Sequence, residues 1–211
     1  MSTPQRVALV HDWLTGMRGG ERVLERVARC FPDADLYTLA WRRGAVSAEI
    51  ERHRIRTSFL DRLPAADTHY RWFLSLFPYA IESLDLSRYD AVVSISHVVA
   101  KGVRTRPGVP HVSIVLTPMR YVWDLEDQYF PRARFPWPVS KTLRLVCVRL
   151  RRWDRETSSR PTQLVAISHH VADRIRRNWG RDSTVVFPHV DVERFTPVVG
   201  ERSYYLLGGA F

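Results

Sequence analysis

The residues best able to do chemistry sit between an apolar run ending at His11 and a helical pattern beginning at Glu21: His11-Asp12-Trp13-Leu14-Thr15-Gly16-Met17-Arg18-Gly19-Gly20-Glu21. Glycines ahead of a helix let the backbone come close to a ligand, and the free N–H groups at the positive helix end attract phosphate. Gly19 and Gly20 are therefore the candidate phosphate-binding residues. The spacing is not GxGxxG, so a nicotinamide or flavin fingerprint is not matched. A tight strand-to-helix turn would use the same glycines. Position favours the ligand, because open α/β sheets bind outside the carboxyl ends of their strands. His11 and Asp12 leave one strand there, and Ser96 and His97 leave another. A lone strand-end histidine is commonly a structural hydrogen-bonder, whereas two converging on one crevice can serve a ligand. A third segment, Thr117-Pro118-Met119-Arg120-Tyr121-Val122-Trp123-Asp124, follows the apolar run His111–Leu116. Its aromatic faces suit the CH-rich faces of sugar rings, and its Arg and Asp suit hydroxyls, although Tyr121 and Trp123 could equally seal the core. His53, His69, His111, His169, His170 and His189 have no Cys or carboxylate neighbours at metal-ligand spacing, so no metal site is expected and they are assigned no chemistry.

The elements that must hold these segments follow from periodicity. Short apolar or β-branched runs recur at 6–11, 36–40, 90–96, 111–117, 164–168, 184–187 and 204–207. Helical patterns lie between several of them, which predicts a three-layer α/β domain with a mostly parallel central sheet. One helix is expected from Glu21 to about Cys30, with Val23, Leu24, Val27, Ala28 and Phe31 on one face and Pro32 as its stop. Another is capped by Ser168, carries Val171, Ala172, Ile175 and Trp179, and ends at Gly180. The stretch from Phe130 to Pro138 reads as a loop. The chain closes on Leu207-Gly208-Gly209-Ala210-Phe211, a strand running into a glycine loop, as in an α/β unit cut short.

With 211 residues and 45% hydrophobic composition, one large domain is expected. No apolar run approaches the ~20 residues that span a bilayer, and the N-terminus lacks a secretion signal, so the expected location is the cytoplasm. Cys30 and Cys147 lie in apolar helical patterns without CxxC or Cys/His ligand spacing and read as small buried hydrophobes rather than a disulfide or zinc site. The net charge of +10 and pI near 10.3 point to polyanionic partners. Between Lys141 and Arg160, seven cations face two carboxylates, which makes a local basic patch. Val139, Leu143, Val146, Leu150 and Trp153 form a stripe beside Arg144, Arg149, Arg151, Arg152 and Arg155. That composition fits a helix lying on an anionic membrane surface, or a core helix with a solvated basic face.

Together these segments resemble the family-four retaining glycosyltransferases of GT-B architecture, especially bacterial mannosyltransferase-like members that build surface polysaccharides. The resemblance rests on the 11–21 and 117–124 segments and on Ser94-Ile95-Ser96-His97 leading to Ala100-Lys101-Gly102. It rests also on Ser168 with Val171-Ala172-Asp173-Arg174-Ile175, and on Pro188-His189-Val190-Asp191-Val192-Glu193-Arg194-Phe195.

The resemblance implies a Rossmann-like N-terminal domain over residues 1–197, with 198–211 beginning a donor-binding domain. Gly19 and Gly20 would approach the donor diphosphate. His11, Asp12, Trp13, His97, Arg120, Tyr121 and Asp124 would line the acceptor side. The implied reaction moves a sugar, with mannose from GDP-mannose as a candidate, onto a lipid-linked or polysaccharide acceptor. No cofactor beyond the nucleotide sugar substrate is implied, and the location would be peripheral at the inner face of the plasma membrane. Similar proteins carry His where this chain has Leu116, which cannot hydrogen-bond a hydroxyl. The family's donor-binding cations and paired glutamates belong to the second domain, so no residue here is assigned a catalytic step. Transfer by this chain alone is expected to fail. The other reading is a non-catalytic acceptor- or membrane-binding domain, or half of a split enzyme needing a partner chain. A nucleic-acid partner is not expected, since charge alone would support it.

Overall fold

The computed structural model describes residues 6–64, 70–124, 136–190 and 192. Within them, seven strands form one sheet: β1 (Val7–His11), β2 (Asp35–Thr38), β3 (Ile55–Thr57), β4 (Ala91–Ser96), β5 (His111–Val115), β6 (Gln163–Ala166) and β7 (Thr184–Val185). Their order is β3-β2-β1-β4-β5-β6-β7, and every pairing is parallel. Parallel strands need a covered sheet, and Ala8, Leu9 and Val10 of β1 are accordingly buried on both faces. After β3 at one edge the chain returns to add β4 beside β1. Strand order therefore reverses between β1 and β4, and the crevice this opens at their carboxyl ends is where α/β sheets bind ligands.

On one face, α1 (Gly19–Cys30) and α2 (Ala48–Glu51) place Leu24, Ala28 and Ile50 on Leu9, Leu36 and Ile95. On the other, α3 (Phe77–Glu82), α4 (Arg120–Trp123) and α5 (Trp137–Thr157) cover Ala8, Val10, Tyr37 and Val92. The same layer continues with α6 (His169–Trp179), whose Val171, Ile175 and Trp179 pack on Val115, Leu164 and Ala166. The molecule is a three-layer, Rossmann-like α/β domain.

Local signals account for the helix ends. Ser168 accepts a hydrogen bond from the Val171 N–H at the start of α6, and Gly180 closes it with φ +69°. α1 begins at Gly19, earlier than the pattern from Glu21 predicts, because Glu21 reaches back to the Arg18 N–H at 3.0 Å and caps the first turn. A 3₁₀ turn over Tyr70–Leu76 leads directly into α3, with Pro78 in the first turn of α3. The stretch read as a loop to Pro138 already belongs to α5 from Trp137. β3 is the strand the sequence hides, three residues centred on Arg56 and preceded by Arg54. The boundary expected near residue 197 and the strand expected at 204–207 lie outside the described residues.

Candidate functional site

The centre of the β1/β4 crevice is Asp12. Its Oδ2 accepts from the N–H groups of His97 and Val98 at 2.7 and 3.0 Å, and its Oδ1 from those of Val99 and Ala100 at 2.7 and 2.8 Å. One carboxylate thus satisfies four backbone donors of the chain leaving β4, where a 3₁₀ turn, Ala100–Gly102, begins. Burial would raise its pKa, yet the nearby charge of His97, the charge of His11 and the His97 backbone N–H hold it well below the usual carboxylate range. His97 Nδ1 lies 2.9 Å from Asp12 Oδ2, and its ring stands edge-on to Trp13 at 4.5 Å. Its side chain is 25% exposed, against none for Asp12. Nδ1 thus faces the carboxylate in a charged contact without a hydrogen bond, and the ring is the part-exposed group at the crevice.

His11, Asp12 and Trp13, expected on the acceptor side, lie at the carboxyl end of β1. All three are buried, and Asp12 is fully occupied by backbone. His11 Nδ1 contacts the Ile95 carbonyl oxygen at 3.0 Å, while its Nε2 lies 3.6 Å from Glu21 Oε1 without a hydrogen bond. Burial raises the Glu21 pKa, but the nearby His11 imidazole and the backbone N–H groups of Glu21 and Arg18 outweigh it and keep it lowered. Neither Gly19 nor Gly20 has a positive φ, so the turn itself does not require glycine. A side chain at Gly19 would meet open space. At Gly20 a Cβ would fall 2.9 Å from Leu116 Cδ1 and 3.4 Å from His11 Cε1. Leu116 therefore fills the space before Gly20, and Gly19 is the residue of the pair open to a ligand at the α1 N-terminus.

No protein-family model and no curated protein sequence matches the chain. Among solved structures it is similar to the apo form of the lipopolysaccharide outer core galactosyltransferase WaaB, at 15% identity and a TM-score of 0.43. The similarity covers 88% of this chain and 46% of that one, so the chain spans just under half the length of the structure it matches. A likeness this distant carries no argument about activity or substrate.

The 117–124 segment is held from beneath. Arg174 of α6, only 5% exposed, binds Asp124 and Thr117 Oγ1 through its guanidinium. Asp124 is thus partly committed to positioning, while Arg120 is exposed and Tyr121 half-buried against the core. Burial lowers the Arg174 pKa, and the charges of Arg120 and Arg177 add to that, which places three guanidinium groups in one neighbourhood. Asp154 of α5 anchors the next turn: its Oδ2 accepts from Trp123 Nε1 and Trp179 Nε1, each at 2.7 Å. Lys101, 1% exposed, lies 3.0 Å from Asp154 Oδ1 and donates to the Asp154 carbonyl and to Thr157 Oγ1. Desolvation lowers its pKa against the pull of Asp154. Sequence reasoning placed Lys101 and Arg174 in motifs without assigning them roles. A buried cation finds its carboxylate through long-range packing, which no local spacing displays.

The basic helix packs as a core helix with a solvated basic face. Val146, Leu150 and Trp153 turn inward onto the core, Leu143 is part-buried, and Val139 at the start of the stripe is exposed. Arg151 binds the Val122 carbonyl, and Arg155 donates to the Asn178 carbonyl at 2.9 Å. The outward face instead carries Trp137, Leu145 and Val148 with Lys141, Arg149 and Arg152. Cys30 and Cys147 are both free; Cys147 is buried as expected, whereas Cys30, at the last position of α1, is exposed. Among the described residues, no group of His, Cys, Asp and Glu could hold a metal ion, and no helix is long and apolar enough to cross a membrane.

Proposed function

We propose that this chain is the acceptor-side part of a two-domain, retaining sugar-nucleotide glycosyltransferase acting in cell-surface glycan synthesis. The observation that carries the reading is the Asp12–His97 pair at the strand-order reversal. It places a part-exposed imidazole, its Nδ1 2.9 Å from Asp12 Oδ2, beside the open α1 N-terminus at Gly19. His97 binds and orients the acceptor hydroxyl, Arg120 and Tyr121 contact the acceptor glycan, and Gly19 admits the donor diphosphate. Mannose from GDP-mannose is the donor we favour, on a lipid-linked or polysaccharide acceptor. The enzyme works at the inner face of the plasma membrane, held there by the outward face of α5. Aliphatic and aromatic side chains at 137, 145 and 148 among cations suit an anionic interface.

Retaining transfer needs donors aimed at the charge that develops on the leaving diphosphate. Gly19 and the α1 N-terminus supply these from one side of the crevice. A sugar-nucleotide turnover assay on the 211-residue chain, and on a chimera joining it to the donor-binding domain of a GT-B transferase, tests the reading. The bare chain should show no transfer and the chimera should restore it. Robust turnover by the bare chain, or an inert chimera that is folded, would contradict it.

A further inference from the structure

Lys101 and Asp154 are both buried, yet between them they hold two segments assigned to the acceptor side. The turn after β4 is fixed at its start by Asp12, through the N–H groups of residues 97–100. Its far end is fixed by α5. Lys101 Nζ donates to the Asp154 carbonyl at 2.8 Å and to Thr157 Oγ1 at 2.9 Å, and it lies 3.0 Å from Asp154 Oδ1. The same ammonium sits 5.1 and 4.7 Å from the ring centres of Trp153 and Trp179. One residue on, the Gly102 carbonyl accepts from Arg160. The other oxygen of that carboxylate, Asp154 Oδ2, accepts from Trp179 Nε1 of α6 and from Trp123 Nε1. Trp123 closes α4, the short helix that carries Arg120 and Tyr121. A single carboxylate therefore stands between the turn that presents His97 and the helix that presents Arg120 and Tyr121. Burying an ion pair costs desolvation, and an apolar pair of similar volume is often as stable. Packing alone does not call for Lys and Asp here, whereas a satisfied polar network fixes a unique geometry.

We infer that Lys101 and Asp154 are positioning residues for the acceptor: together they set the separation of His97 from Arg120 and Tyr121, and so the acceptor that fits between them, without touching it. The inference rests on the transferase reading for what the crevice binds, whereas the link between the two segments does not. Asp12 keeps its own hydrogen bonds when Lys101 is replaced, so the turn should shift about that clamp rather than unfold. Lys101 reaches Trp123 through Asp154, and a change at Lys101 should therefore be felt at both segments together.

The test begins with the 211-residue chain and its amide and indole NMR signals. Lys101→Met should move the N–H signals of residues 97–100 and, through Asp154, the Trp123 indole N–H, while those of 36–38 in β2 stay in place. Met leaves Asp154 as an unpaired buried charge, so K101M/D154N is the second variant: its amide oxygen can still accept from the two indoles and no charge is left alone. It should regain most of the melting temperature that K101M loses and still show displaced 97–100 signals. In the transfer-competent chimera the double variant should raise the KM for the lipid-linked glycan that the parent chimera glycosylates about tenfold, with the donor KM unchanged. Ile50→Ala, destabilising on the opposite face of the sheet, should leave both KM values unchanged. A Trp123 indole signal unmoved by K101M, 97–100 signals in the double variant matching the parent, or an acceptor KM that follows melting temperature across the three variants would overturn the inference. A folded parent chimera without activity would instead overturn the transferase reading, with the spectra of the chain alone deciding whether the two segments are linked.

Discussion

Asp12 accepts four backbone N–H groups with two oxygens, which a neutral amide cannot do, because one of its two heavy atoms is itself a donor. Asp12→Asn should therefore leave two buried N–H groups facing an NH₂ and cost about 2–4 kcal/mol, read as a lower urea midpoint at unchanged slope. A cost under about 0.5 kcal/mol would mean that the clamp is not structural. His111 makes a second prediction at this scale. It is buried in the sheet with Nε2 2.9 Å from Ser94 Oγ, and burial, aided by the charges of Lys101 and Arg160, pushes its pKa down from 6.5 to about 3. Between those values the unfolded chain binds the proton and the folded chain does not, so stability falls as pH drops through that window. The loss from pH 7 to pH 5 should be about 2 kcal/mol, and His111→Asn should flatten that part of the profile whatever its own cost. A profile equally steep in the variant would contradict the assignment. Among single residues, sequence alone located His97 at a strand exit. It could not separate His97, which stays part-exposed, from His11 and Asp12, which are sealed, because burial is set by α1 and by the 97–100 backbone arriving from far along the chain.

At the scale of elements, the tightest junction is between the turn after β4 and α5. A Cβ at Gly102 would lie 2.5 Å from Trp153, whose Nε1 donates to Glu82 Oε1 at 2.7 Å and cannot move without breaking that bond. Gly102→Ala should cost about 1–3 kcal/mol. Gly19→Ala, in open space, should leave stability unchanged or slightly raised. Equal melting temperatures for both variants would contradict this account. The outward face of α5 predicts binding to anionic vesicles that weakens as salt rises, measured by sedimentation, with L145D/V148D abolishing it. Binding that is equal on neutral vesicles, or absent, would remove α5 as a membrane contact. Helix ends at Ser168 and Gly180 were legible because their signals are local. The inward stripe of α5 was legible as an apolar period, but not its direction. A helix apolar on one row and mixed on another offers two faces to bury, and only the sheet beneath decides between them.

For the whole molecule, strand–helix alternation was enough to read a parallel three-layer sheet, since each unit carries its own pattern. Strand order was not readable, because the return from β3 to β4 beside β1 is decided by which edges remain unpaired when β4 forms. That return creates the crevice and brings Asp12 within reach of residues 97–100, more than eighty positions away. The central claim is that His97, held by Asp12, meets the acceptor in this crevice. In a transfer-competent chimera, His97→Gln keeps a polar group but loses the imidazole. We predict that it lowers kcat/KM for the acceptor about a hundredfold, while the donor KM and the melting temperature stay near those of the parent chimera. Acceptor kinetics unchanged by His97→Gln would contradict the account.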